Sequence, residues 1–405
     1  MRRVPSALAR PLARLTGTIM PGLGLIAAAA LLLIIGAWNV TAAKAATPAK
    51  APAPTTSRKR IALPTPTFLK ALNGAPPENN EPVEITGRAI WGDYGKKITY
   101  ISGDIRIVQG KTLITTDRAE INTEKKTAVF TNSVALSRPD VTITSDLLEY
   151  DLKRKVGTFK RQVAFQRIET KEDGGKANRD PFTLAADQLY FESDTQNFIA
   201  SGQGRITHRD FTGRADTIEY QDQKQKMIFR GAVEIIQEAG GRETAIRAEI
   251  VELDLIRKSL IIPKQAESSQ PDVVINGGEL DYNYDRKIGA FKKQVVLNRL
   301  EAKDAKQKTK KDPFKLNADE LSFDSETSNF VARGNCRLEH KEFTGTGDLI
   351  EYDDAAQTLL FEGNAALKRP KGESIKGAWI RINLEEETFM ARNQAGAGLQ
   401  VDSKD

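Results

Sequence analysis

This sequence is short of the residues that do chemistry. Its 405 residues include one cysteine, Cys336, and two histidines, His208 and His340. A lone cysteine excludes an internal disulfide framework, but it does not exclude an oxidising compartment, because a large stacked sheet holds together without staples. No G-x-S-x-G, H-E-x-x-H, C-x-x-C or P-loop pattern occurs, so the common motifs of hydrolases, metalloproteases, thiol redox proteins and nucleotide-binding proteins are missing. A one-signed charge field is also missing. The formal net charge is +6, but residues 1–45 contain Arg2, Arg3, Arg10, Arg14 and Lys44 and no acid, which leaves the rest nearly neutral with both signs mixed. Nothing in that remainder could track a phosphate backbone, so nucleic acid is not an expected partner.

Only one long apolar run is present. Gly24 to Trp38, GLIAAAALLLIIGAW, follows a basic leader and, extended back to Ile19 and Met20, reaches bilayer-spanning length. Ala43-Lys44-Ala45 forms a small-x-small cleavage pattern, so a retained membrane anchor over 19–38 and a cleaved signal peptide both fit. Either places the following chain on the far side of the membrane, since the basic flank stays inside. Residues 46–82 are rich in Ala, Pro and Thr and read as an extended linker. The remainder divides into a first block over 83–247, a second over 248–396 and a tail over 397–405.

What fills the chain from about residue 83 is repetition. In Ala186–Ile206, ADQLYFESDTQNFIASGQGRI, apolar residues alternate with polar ones on both sides of the polar stretch Ser193–Asn197. That pattern predicts a β-hairpin, with Phe191 and Phe198 paired across it. About ten such units recur, opening at Ala89, Ala119, Asp146, Ala186, Ala215, Ala248, Gly278, Ala318, Gly347 and Ala378. One hairpin cannot bury its apolar face alone, so the copies must stack. A longer period lies above this one. Residues 180–220 and 312–352, 132 apart, are identical at 23 of 41 positions without a gap.

Several residues invite a sharper reading. The period makes His208 and His340 counterparts in separate blocks, so a shared metal is not expected, and each reads as a residue of the repeat face. Asp187, Asp216, Asp319 and Asp348 recur singly at what read as strand starts, which suits turns or edges better than a calcium site. Cys336 falls by parity on the inward face and reads as a small buried hydrophobe. Gly202 and Gly204 read as strand glycines. The connections 168–179 and 300–311 are charged and lack periodicity. They read as solvated loops, with Lys303, Lys306, Lys308, Lys310 and Lys311 the alternative meeting point for an anionic partner. No catalytic or metal site and no cofactor is assigned. The candidate site is the apolar face itself. From the first block it comprises Leu189, Phe191, Phe198, Ile206, Ile218, Tyr220, Phe229 and Val233. From the second it comprises Phe291, Leu321, Phe323, Phe330, Leu338, Ile350, Tyr352 and Phe361. With ten strands on each of two facing sheets, the body would be about 48 Å long.

The units A-D-x-L-x-F…N-F-x-A-x-G-x-x-R-I and A-D-x-I-E-Y…F-x-G-x-V-x-I resemble the OstA-like repeat of the periplasmic lipopolysaccharide-transport proteins of the LptA and LptC type. An apolar segment before such repeats is similar to the LptC arrangement. The resemblance implies an all-β, V-shaped β-jellyroll of repeated hairpins in two similar blocks, after an N-terminal hydrophobic helix. It also implies a non-enzymatic bridge that carries lipopolysaccharide or a related lipid from inner to outer membrane in an apolar groove. Its partners would be other Lpt-type envelope proteins, joined head to tail by β-strand addition, or further copies of itself. A scaffolding β-repeat protein with a filled core is the alternative, and an envelope hydrolase ranks last because the inward positions offer almost no acids.

Overall fold

In the computed structural model, residues 84–402 are described apart from 110, 152, 155, 170–178, 240, 302–311 and 394–399. The expected helix at 19–38 and the linker lie outside them, as do the lysines of 302–311. Within them the chain is almost entirely strand. It opens with β1 (Glu84–Thr86) and β2 (Ala89–Asp93), two halves of one broken strand. Full strands follow as β3 (Ile98–Gln109), β4 (Thr112–Asn122), β5 (Thr127–Ser137), β6 (Val141–Asp151), β7 (Val156–Arg167), β8 (Phe182–Glu192), β9 (Phe198–His208), β10 (Thr212–Gln221), β11 (Lys226–Ala239) and β12 (Arg242–Asp254). Two broken strands come next, β13 (Ser259–Ile262) with β14 (Ala266–Ser269), and β15 (Val273–Gly277) with β16 (Glu279–Asn283). The series ends with β17 (Ile288–Arg299), β18 (Phe314–Asp324), β19 (Phe330–His340), β20 (Phe343–Asp353), β21 (Thr358–Lys368), β22 (Ser374–Asn383) and the halves β23 (Thr388–Arg392) and β24 (Gln400–Asp402).

Among the described residues every pairing is antiparallel and joins neighbours in the chain, so the ladder there is one continuous ribbon of twenty rungs, counting each broken strand once. The hairpin of β8 and β9 has the expected register, with Phe191 opposite Phe198. The ladder runs without a break through β12, where the two blocks meet. Gln400–Asp402, expected in a tail, is a strand paired with Ser374–Lys376.

The ribbon is folded along its length by bends in alternate strands. In β3, β5, β7, β9, β11, β17, β19 and β21, two consecutive residues have φ between about +44° and +78°, as at Gly202-Gln203 and Gly334-Asn335. At each bend the register shifts. A bulge of this kind turns a strand sharply, so each strand contributes one half to each of two facing sheets. We call the sheet that holds Phe165, Phe182 and Phe314 the first, and the sheet that holds Phe198, Tyr220, Phe330 and Tyr352 the second. Contacts between them are direct: Phe165 lies 4.9 Å from Phe198, and Phe182 5.4 Å from Tyr220.

The bend also corrects the reading of strand starts. In β8, Phe182, Leu184 and Ala186 point inward, then Asp187 and Gln188 both point outward, and Leu189 and Phe191 resume the alternation out of phase. The change of parity makes the second half look like a separate strand beginning at Ala186. The same holds for Ala119, Asp146, Ala215, Ala248, Ala318, Gly347 and Ala378, all of which sit inside strands. Each sheet therefore receives a half-strand from all twenty rungs, not ten strands. The ribbon is about 90 Å long at about 4.8 Å per rung, roughly twice the expected 48 Å.

Candidate functional site

Asp187, Asp216, Asp319 and Asp348 hold the bends. Each lies against the positive-φ glycine of the next strand, at Gly202, Gly231, Gly334 and Gly363 respectively. A Cβ at Gly334 would stand 2.5 Å from the Asp319 carboxylate, and Asn335 donates to that carboxylate at 2.7 Å. Asn364 does the same for Asp348 at 2.9 Å. These acids are thus mid-strand bend residues and not strand starts, as the parity change demands.

The sixteen candidate groove residues all lie in the interior between the sheets, and even the most accessible, Phe323, exposes only 8 % of its surface. Thirteen belong to the second sheet, and only Ile206, Val233 and Leu338 lie past a bend on the first. The wall opposite them includes Phe165, Phe182, Leu184, Phe314 and Leu316, all buried. Phe182, Leu184, Phe314 and Leu316 were missed because strands counted from Ala186 and Ala318 leave them in the preceding connections.

Among the described residues the interior is closely packed. A cavity of about 30 Å³, room for one or two waters, lies among Ile275, Leu297, Phe314, Phe330 and Tyr352. Cys336 is buried at its bend, and burial pushes its thiol up to about 11, so it stays protonated at neutral pH. His208 and His340 sit at strand ends on the first sheet, with His208 stacked on Phe211 and His340 tilted against Phe343, each with ring centres 4.8 Å apart. Burial lowers both imidazole pKa values. Among the described residues, no group of three or more His, Cys, Asp or Glu is placed to hold a metal.

Opposite the bends, where the free margins of the two sheets meet, closure is polar. Arg167, at the end of β7, reaches across to donate to the Tyr220 hydroxyl at 2.7 Å and pairs with Asp222 at 2.6 Å. Its guanidinium carbon sits 5.0 Å from the centre of the Tyr220 ring. One period later, Arg299 donates to Tyr352, pairs with Asp354 at 2.6 Å and lies 4.9 Å over the Tyr352 ring. Between them, Tyr282 donates to Gln237 at 2.8 Å, Gln270 to the Ser325 carbonyl at 3.1 Å, and Arg242 to Ser328 at 3.0 Å. Sequence reasoning missed this seam. Arg167, Asp222 and their counterparts obey the 132-residue shift but fall just outside the aligned window 180–220.

The profile of the LptA/LptD N-terminal-domain family of LPS transport proteins matches residues 84–244 and 214–388. A search of curated proteins found no match. Among solved structures, this chain is similar to LptH from Pseudomonas aeruginosa, described as the LptA-homologous periplasmic component of the lipopolysaccharide transport device. The match has 11 % identity and a TM-score of 0.22, and it covers 40 % of this chain and 99 % of that one. With the family profile spanning most of the ribbon, this chain belongs to the LptA/LptD N-terminal family of LPS transport proteins.

Proposed function

We propose that the chain is a non-enzymatic envelope component that carries lipopolysaccharide, or a related multi-chain lipid, in the space between its two sheets. The observation that supports this most directly is the form of the interior. It is apolar from β1 through β22, yet among the described residues one side is bridged by side chains and not by backbone ladders. Parting the seam would open a continuous apolar trough without breaking a strand pair. Acyl chains entering it gain about 0.8 kcal/mol per buried CH₂, so no catalytic residue is needed to hold them. The ladder ends in short half-strands, β1 with β2 and β23 with β24, which suits extension by strand addition from a like domain in the periplasm.

The packed interior favours a second reading, a scaffold whose core is filled for stability alone. Photo-crosslinkers at Phe198 and Phe330 decide between them when the full chain is purified from its own membranes. Carriage predicts lipid adducts there and none at the exposed Gln188. Equal labelling at all three positions, or adducts at none, leaves only the scaffold.

A further inference from the structure

We propose that the Arg167 and Arg299 clusters are two equivalent receptors for the phosphate of an anionic lipid headgroup, each exchanging its aspartate for the phosphate as the seam opens. The inference rests on the carrier reading above and specifies the chemistry of the lipid. Both arginine side chains are 2 % exposed. In each, the Nε–H is buried and has no hydrogen-bond partner. A guanidinium offers five donors in a rigid planar fork that fits oxyanions in pairs of bonds. The carboxylate now beside it leaves one of those donors unused. A phosphate brings more acceptor oxygens than a carboxylate and can satisfy the remaining donor.

The setting suits an amphiphile. Each guanidinium stands at the rim of the trough against an aromatic wall, Phe182 and Tyr220 in one cluster, Phe314 and Tyr352 in the other. A phosphate held there leaves its acyl chains directed into the apolar interior. The displaced carboxylate has somewhere to go in the first cluster. Asp222 already pairs on its other oxygen with Arg179, at 3.0 Å, and Arg179 is 34 % exposed. The two clusters are eight rungs apart, about 40 Å at about 4.8 Å per rung, so they form successive stations along one rim.

The test compares binding of dipalmitoyl phosphatidic acid, dipalmitoylglycerol and inorganic phosphate to the full chain. The two lipids share their acyl chains and differ in the phosphate. The expected result is about tenfold tighter binding of phosphatidic acid than of the glyceride, with inorganic phosphate alone binding far more weakly. Asp222→Asn with Asp354→Asn removes the competing charge and is expected to tighten phosphatidic acid binding several-fold. Arg167→Gln with Arg299→Gln is expected to erase the preference while glyceride binding persists. If the arginine variant does not fold, the asparagine variant decides by itself, because a purely structural ion pair predicts weaker lipid binding, or no change, there. Equal affinity for the two lipids overturns this inference and leaves the carrier reading standing, whereas binding of neither lipid overturns both. Inorganic phosphate binding as tightly as phosphatidic acid overturns the headgroup assignment.

Discussion

At the scale of single residues, the bends and the two histidines set measurable terms. Gly334 combines φ +74° with the Asp319 carboxylate where a Cβ would stand, whereas Gly241, at φ +72°, has nothing near that position. Alanine at Gly241 is expected to cost about 1 kcal/mol for the left-handed backbone alone, and alanine at Gly334 about 2–3 kcal/mol because the bend must also shift. Urea unfolding measures both, and equal losses would show that the carboxylate contact is unimportant. The histidines give a pH dependence of definite sign. Burial outweighs the raising influence of Asp180 and Asp210 on His208, and of Asp312 and Glu342 on His340, while Arg209, Lys258 and Lys341 act with burial. The folded chain therefore binds fewer protons than the unfolded one just below the ordinary imidazole value of about 6.5. This part of the stability is fully present above that pH and is lost as pH falls toward the lowered folded values. The thermal midpoint should drop between pH 7.5 and 5. His208→Asn with His340→Asn should reduce the drop, because the asparagine oxygen can replace Nδ1 as acceptor for the backbone N–H groups of Asp210 and Glu342. An unchanged pH slope in the variant would locate the effect elsewhere.

At the scale of elements, the bend decides where a strand begins. Leu184 and Leu316 precede the repeated Ala-Asp pair and are fully in the interior. Leu184→Ala and Leu316→Ala are each expected to cost about 2–5 kcal/mol, as for core leucines. Were those residues part of a loop, the loss would stay within about 0.5 kcal/mol, and denaturant midpoints separate the two cases. Much of the hairpin was readable from residues: the turn Ser193–Asn197 and the pairing of Phe191 with Phe198 follow from period-two alternation and polar turn chemistry. The length of each strand was not readable. A bulge inserts two outward residues in a row, and a parity rule reads that as an ending.

At the scale of the whole molecule, the ends and the seam matter most. Among the described residues, β22 is covered on its outer side by the five residues of β23 and the three of β24. Truncation after Asn383 exposes its whole edge, and an exposed long edge recruits another strand. The expected outcome in size-exclusion chromatography is a larger, concentration-dependent species than the full chain forms at the same concentration. An unchanged elution volume would argue against end-to-end pairing at this terminus. Of the candidate site, the second-sheet wall was legible because its aromatics repeat beside a recognisable turn. The first-sheet wall and the polar seam were not, because each seam bridge joins residues 45 to 86 positions apart that come together only when the ribbon folds.

The sequence by itself determined the all-β class, the stacked hairpins, the 132-residue period and the inward-facing side chains beside each turn, since all of these are local alternation and repetition. Only the tertiary structure decided that alternate strands bend to feed two sheets and that the interior is closely packed. It also decided that Arg167 and Arg299 bridge the margins. Those features depend on where distant half-strands meet, and neither side-chain parity nor turn chemistry carries that distance.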